Sequence, residues 1–237
     1  MPIINEKISL SVIIPCFNEV DTIGQVIKSV FDVGIDDIEI IVVDDGSVDG
    51  TKEKLTVLSK EKKIIYLSHT KNLGKGAAIK TALKKVTKEI VIIQDADLEY
   101  NPNDYHNLIL PFFEANADIV YGSRFLGSQK YSRIHFFWHY VANKLLTFLS
   151  NVFTNLNMTD METGYKLFRK DVIKSIEIME KSFGVEPEIT IKLAKKKLRF
   201  FEVPISYNGR SYEEGKKIGL KDAFIAVYCI LKYKFFK

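Results

Sequence analysis

The stretch VIIQDADLEY (91–100) begins with three aliphatic residues and then places Asp95, Asp97 and Glu99 at every second position. Carboxylates crowded in this way repel one another, so a chain that ends a hydrophobic run with them needs a compensating charge. The run itself reads as a strand, and it is one of several. ISLSVII (8–14), IEIIVV (38–43), KIIYL (63–67) and ADIVYG (117–122) are likewise short and rich in Ile and Val. Helical patterns alternate with them, through Ile23, Val26, Ile27 and Val30, over Lys52 to Ser59, and over Lys75 to Val86. A segment starting near Pro102 follows the fourth strand, with Pro111 expected to break or bend it. Strands apolar on both faces and alternating with helices predict an α/β fold, a mostly parallel sheet covered on both sides.

In such sheets ligands bind beyond the carboxyl ends of the strands. The polar residues fall there: PCFNE after the first strand, DDGS after the second, SHTKNLGKG after the third, QDADLE after the fourth and GSR after the fifth. Strand ends meeting water account for part of this, but not for two separate acidic clusters.

Each cluster has two readings. Closely spaced carboxylates in QDADLE suit a hard divalent cation shared with a diphosphate, or else an exposed acidic turn. In VVDDGSVDGT, an Asp-Gly turn with Ser47 or Asp49 capping the next helix explains one acid. The other acid of the Asp44–Asp45 pair is available to a base or ribose. KNLGKGAAIKTAL sets glycines and Lys75 at a helix N-terminus, where free N–H groups favour anions, although the spacing is not that of a P-loop and a plain glycine turn would also fit. Arg124, Arg133 and Arg210 are candidate phosphate clamps, each of which taken singly also reads as a surface charge. The four histidines show no arrangement that suits a catalytic pair.

The bulk properties narrow the classes. A chain of 237 residues with 46% hydrophobic and 27% charged content fits one α/β domain with a small appendage. The net charge of +4 is too weak to argue for nucleic acid, and no nucleic-acid motif accompanies it. Cys16 and Cys229 lack metal-ligand spacing and read as reduced, cytosolic thiols. The start MPIINEKISL lacks the features of a signal peptide, and the apolar run AFIAVYCIL (223–231) is too short to span a bilayer. Beyond Tyr131, Ile134, Phe137, Trp138, Val141, Leu145, Phe148, Leu149 and Val152 recur at helical spacing. A helix near Pro187 to Lys197 and a late strand in RFFEVPISY follow. The terminal apolar helix is flanked by Lys216, Lys217, Lys221, Lys232, Lys234 and Lys237. The two apolar helices fit core packing, a dimer interface or a helix lying in a membrane surface.

Taken together, PCFNE, DDGSVDGT, NLGKGAA, QDADLEYNPNDY, GSRF, TDMETGYKLFRKDV and YNGRSYEEGKKI resemble glycosyltransferase family 2, with its GT-A fold. The similarity covers about residues 9–222, and within the family the chain looks like the dolichyl/polyprenyl-phosphate hexosyltransferase branch. The resemblance implies a glycosyltransferase domain over 1–222 with an amphipathic helix over 223–237. It implies that Pro15, Asn18, Glu19 and Asp45 hold the nucleoside of a UDP- or GDP-linked sugar, with Lys75 also binding substrate and Asp95 against the nucleotide. Asp97 and Glu99 would hold Mg2+ or Mn2+, with Glu99 standing where relatives often carry Gln. Arg124, Arg133 and Arg210 would bind the phosphates of donor and acceptor, and Asp160 would orient the sugar or acceptor. The implied reaction is metal-dependent, inverting transfer of a hexose to a polyprenyl phosphate at the cytoplasmic face of a membrane. Loops around 125–133 and 206–217 would close over the donor. Many bacterial relatives carry membrane spans after this domain, which raises the expectation of a transmembrane partner. A family 2 transferase acting on a glycan or protein, and a noncatalytic sugar-nucleotide-binding protein, are the alternatives.

Overall fold

A computed structural model of the chain describes residues 8–127, 136–210 and 220–236. Arg133, Lys216, Lys217, Lys237 and most of both expected closing loops lie outside the described residues.

The first half alternates as its apolar periodicity requires. Strand β1 (Ser9–Cys16) leads to helix α1 (Ile23–Asp32), β2 (Asp37–Asp44) to α2 (Thr51–Glu61), and β3 (Ile64–Ser68) to α3 (Lys75–Leu83). Then come β4 (Ile90–Ile93), a short 3-10 turn at Pro102–Asp104, α4 (Tyr105–Glu114) and β5 (Ile119–Ser123). The second half adds α5 (Phe137–Thr154), β6 (Lys166–Arg169), α6 (Lys170–Lys174), α7 (Val185–Ala194), β7 (Phe200–Pro204) and α8 (Leu220–Phe235).

All strands join one sheet in the order β3-β2-β1-β4-β6-β5-β7. Only β6 runs against its neighbours, pairing antiparallel with both β4 and β5. Two antiparallel steps restore the direction, so β1 to β5 still deliver their carboxyl ends to one edge. The strands alternate between two apolar layers. Leu10, Val12 and Ile14 of β1 face α1, α2 and α4, while Ile13 faces the layer of α3, α5, α7 and α8. Every one of these four residues is buried, as a sheet covered on both sides demands.

Pro111 lies inside α4 and does not break it as expected: the helix continues to Glu114, and the Ala115 amide donates to the Pro111 carbonyl. The segment TGYKLFRKDV supplies an unforeseen strand, β6, between the fourth and fifth. The apolar stripe of α5 also turns largely outward. Leu146, Leu149 and Phe153 pack on the core, while Phe137, Trp138 (77% exposed), Leu145, Phe148 (66%) and Val152 do not. Helix α8 divides in the same way. Ala226, Cys229, Ile230 and Tyr233 are buried, whereas Phe224 (76%), Tyr228, Phe235 and Phe236 are exposed. The two helices meet where the Phe153 and Phe235 rings lie 5.5 Å apart and Lys234 donates to the Phe153 carbonyl. No helix among the described residues is long and apolar enough to cross a membrane.

The layering predicts a contrast measurable by chemical denaturation. Ile13→Ala, in the middle of the sheet, should cost about 2–5 kcal/mol. Phe148→Ser, outside the core, should stay within about 0.5 kcal/mol.

Candidate active site

The acidic edge is assembled from the end of β4. Gln94 is buried, and its side-chain oxygen accepts from the hydroxyls of Tyr105 (2.6 Å) and Tyr165 (2.7 Å), which fixes where the chain leaves the sheet. Beyond it each acid meets a different donor. Asp95 pairs with Lys75 at 2.8 Å, and the same ammonium reaches Glu186 at 2.9 Å. Burial would lower the Lys75 pKa, but those two carboxylates raise it well above its ordinary value, so it stays charged. Asp97 accepts from the Glu99 amide and from Arg210 Nη2 at 3.0 Å. Burial, then the charges of Asp95 and Glu99, push its pKa up to about 7 against the pull of Arg210. Glu99 accepts from Tyr207 Oη and from the Arg210 amide, both at 2.7 Å.

Arg210 thus joins Asp97, Glu99 and Glu19, whose Oε1 lies 3.2 Å from Nη2. Leu98, between the acids, adopts a left-handed φ of 64°, a costly conformation for a residue with a side chain and one common at functional sites. The neighbouring loop is tied in as well. Asn18 Oδ1 accepts from the Val48 amide, Ser47 Oγ accepts from the Asn18 amide, and Thr51 Oγ1 accepts from the Glu19 amide. PCFNE and DDGSVDGT are therefore one hydrogen-bonded unit, with half-buried Pro15 paired to Val43 in the sheet beneath. Asp49 Oδ1 accepts from the Thr51 amide at the start of α2, while Ser47 serves Asn18 and not the helix.

Asp45 faces elsewhere. Its oxygens accept from the Leu73 and Gly74 amides at 3.0 and 2.7 Å, and His69 Nδ1 lies 2.6 Å away. The carboxylate shapes the glycine turn that launches α3, and Lys75 is the first residue of that helix. Asp45 is therefore linked to Asp95 through this turn, and among the described residues no hydrogen bond or ion pair joins it to Asp97 or Glu99. Asp44 Oδ1 accepts from the Ser47 amide, and its buried Oδ2 has no partner among the described residues.

A second cluster lies at the end of β5. Arg124 grips Asp160 with Nε and Nη2, each at 2.7 Å, and its amide adds a third bond. Glu202 accepts from the Thr159 and Asp160 amides, and Asn143 of α5 donates to Asp160. Burial works to raise the Asp160 pKa, yet Arg124 outweighs it and holds the acid below its usual value. The guanidinium also lies 5.1 Å from the centre of the Tyr207 ring, whose hydroxyl serves Glu99. Tyr207 thereby connects the two clusters. Behind them Lys166 donates to the Met161 and Thr163 carbonyls; burial lowers its pKa and raises that of nearby Glu162.

Among the expected site residues, Glu19, Asp97, Glu99 and Arg210 therefore meet directly, Lys75 meets Asp95, and Arg124 meets Asp160. Asp97 and Glu99, both paired with Arg210, carry the carboxylate oxygens that magnesium and manganese favour, but among the described residues no third His, Cys, Asp or Glu completes a metal-binding group with them. Sequence reasoning passed over His69, Tyr207, Glu186 and Glu202. His69, Glu186 and Glu202 carry no local motif. The His69 pair with Asp45 is unforeseen, and Thr81 Oγ1 at 2.9 Å engages its second nitrogen.

The sequence model of glycosyl transferase family 2 matches residues 11–177. The chain belongs to that family. It is 28% identical over 240 residues to the UDP-N-acetylglucosamine–dolichyl-phosphate N-acetylglucosaminyltransferase of Methanococcus voltae, covering 94% of each chain. It is also 28% identical over 213 residues to the dolichol-phosphate mannosyltransferase of Pyrococcus furiosus, covering 89% of this chain and 59% of that one. Among solved structures, the glucosyl-3-phosphoglycerate synthase of Mycobacterium tuberculosis, crystallised with Mn2+, UDP and phosphoglyceric acid, superposes with a TM-score of 0.74 at 19% identity. That match covers 97% of this chain and 79% of the synthase. This family 2 glycosyltransferase has a GT-A-like fold.

The Arg124–Asp160 pair gives a test. Arg124→Met should cost about 3–5 kcal/mol at neutral pH by stranding a buried carboxylate. The folded-state pKa of Asp160 lies below the unfolded value, so the pair's contribution is complete above about pH 4 and is lost as pH falls through the folded pKa. Denaturation midpoints of the two proteins should therefore converge below about pH 4.

Proposed function

We propose that this glycosyltransferase moves a hexose from a UDP- or GDP-linked sugar to a polyprenyl phosphate, with inversion, at the cytoplasmic face of a membrane. The observation that carries the reading is the ring of carboxylates around Arg210. Glu19, Asp97 and Glu99 converge on one guanidinium, as groups built to surround a cation do. Asp97 and Glu99 would hold Mg2+ or Mn2+, which when bound neutralises the diphosphate leaving group.

The remaining roles belong to the chain. Pro15, Asn18 and Glu19 would hold the nucleoside on the loop pair that their hydrogen bonds already fix, with Asp45 shaping the neighbouring turn. Lys75, charged and beside Asp95, suits a phosphate oxygen of the donor. The acceptor phosphate is itself an anionic nucleophile: its oxygen forms the new bond to the anomeric carbon as the bond to the diphosphate oxygen breaks. No general base is needed, which fits a His69 ring whose two nitrogens are both engaged. Arg124 and Arg210, with Arg133 outside the described residues, would steady the phosphates as charge moves between them. Asp160, held by Arg124, would orient sugar or acceptor.

The lipid acceptor is supported by the names of the two curated relatives and by the outward apolar faces of α5 and α8. Exposed Lys234 of α8, with Lys216, Lys217 and Lys237 outside the described residues, suits an anionic membrane surface. A membrane-spanning partner would supply any anchoring that these helices do not.

Asp97→Ala should reduce transfer of radiolabelled sugar into organic-extractable lipid by at least about a hundredfold, and chelation should do the same until Mn2+ is restored. Label appearing only in water-soluble glycan or protein would replace the acceptor in this reading. Flotation with liposomes containing anionic lipid should decline for the double variant Phe224→Ser, Tyr228→Ser; unchanged flotation would remove the membrane role of α8.

A further inference from the structure

Helix α8 carries an outward apolar face, yet its inward face touches the chain just where the donor site is shaped. Lys232 Nζ and Tyr233 Oη both donate to Glu180 Oε1, at 2.7 and 2.6 Å. Glu180 belongs to a short strap, residues 179–182, leading into α7. Buried Glu188 of α7 holds the strap from the other side, accepting from the Met179 and Glu180 amides at 2.8 and 2.7 Å.

The strap lies directly against the first turn of α3. A side chain at Gly76 would collide with the Glu180 carbonyl, and one at Gly74, whose φ is +98°, would collide with the Lys181 carbonyl. Ala77 donates its amide to that Lys181 carbonyl at 3.2 Å. Lys75 sits between these two glycines, so the backbone that aims its ammonium at Asp95 is bounded by the strap. The other partner of Lys75, Glu186, lies in the first turn of α7. That turn is also set by α8, because Gly184 packs against the Cys229 sulfur too closely to admit a side chain.

We infer that Glu180 is a positioning residue for Lys75, and that α8, through Lys232 and Tyr233, is a working part of the donor site and not an appendage. The inference rests on the reading of Lys75 as a ligand of the donor diphosphate. Its physical content is that three layers, α8, the strap and the first turn of α3, are in contact with no side chain between the last two. A carbonyl meeting a glycine leaves no slack: a strap released from α8 shifts the turn that carries Lys75. An appendage would leave nucleotide binding unchanged when its contacts are cut.

Isothermal titration of the full chain with UDP and with GDP, each with Mn2+, tests this. Glu180→Ala should raise the nucleotide Kd by about threefold to thirtyfold. Glu180→Gln, which still accepts both hydrogen bonds, should restore most of the loss. In a Lys75→Met background Glu180→Ala should add less than a factor of about two, since the residue it positions is gone. Equal weakening in both backgrounds would mean general loosening and would overturn the inference. Tyr233→Phe and Lys232→Met, which keep their packing, stand in if Glu180→Ala does not fold. Amide hydrogen exchange over residues 74–78 supplies a readout that needs no ligand. Faster exchange there in the strap variants, with the rest of the sheet unchanged, is expected, and unchanged exchange would refute the positioning role. If the unaltered protein binds neither nucleotide, the donor reading fails by itself and the exchange result decides the positioning.

Discussion

Negative charge gathered at one strand end is the constraint that the rest of the molecule answers. Asp95, Asp97 and Glu99 leave β4 within five residues of one another, and Glu19 approaches from the loop after β1. Two like charges 4 Å apart repel by about 4 kcal/mol at the effective dielectric of a protein surface. That is a large fraction of the stability of a whole domain, so such a group persists only with cations beside it. They come from far along the chain. Lys75 begins α3, and Arg210 follows β7, more than a hundred residues beyond Asp97. The sheet must therefore close at both β1–β4 and β5–β7 before these two cations reach the acids, and four carboxylates against two cations still leave the edge negative.

The antiparallel strand β6 is the device that makes room for the second cluster. A purely parallel continuation would put β5 beside β4 and leave no place for the chain between Met158 and Tyr165. With β6 inserted, Tyr165 reaches back to Gln94 and Asp160 lies under Arg124. The burial of Asp160 would be prohibitive alone; three bonds from Arg124 and one from Asn143 offset it. Tyr207 then spans the gap, its hydroxyl on Glu99 and its ring below Arg124. The two clusters are thereby mechanically joined, as the proposed approach of donor and acceptor phosphates to one carbon would require.

Much of this was legible in the residues alone, for definable reasons. Buried parallel strands are apolar on both faces, so β1, β2, β3, β4 and β5 announced themselves, and the polar residues after them marked the edge. The family resemblance, carried by motifs in order along most of the chain, fixed the GT-A architecture. What escaped was set by contacts remote in sequence. KLFR of β6 is too short to show a period, and nothing local tells an inserted antiparallel strand from a helix start. Asp44 and Asp45 look equivalent on paper, yet strand alternation turns one toward its own turn and the other toward His69. In α5 the periodicity identified a helix correctly, but periodicity reports only that one face is apolar and not what that face meets. Leu149 belongs to the core while Phe148, one residue earlier, faces away.

The two faces of α8 sharpen that last point. Its inward residues, Cys229, Ile230 and Tyr233, have a complete structural reason, because they fill the layer over α7 and brace the strap at Glu180. That task places no demand on the other side of the helix, where Glu, Lys or Gln would serve as well and favour helix formation more. Phe224, Tyr228, Phe235 and Phe236 stand there instead, continuous through the Phe153–Phe235 contact with the exposed aromatics of α5. Leaving one such side chain in water forgoes roughly 1.5–3 kcal/mol of burial free energy, and an apolar face this broad is uncommon on an isolated domain. The aromatics therefore answer to something outside the fold. On the reading proposed above, α8 would meet the lipid on its outward face, while its inward face reaches the turn that carries Lys75 only through the strap.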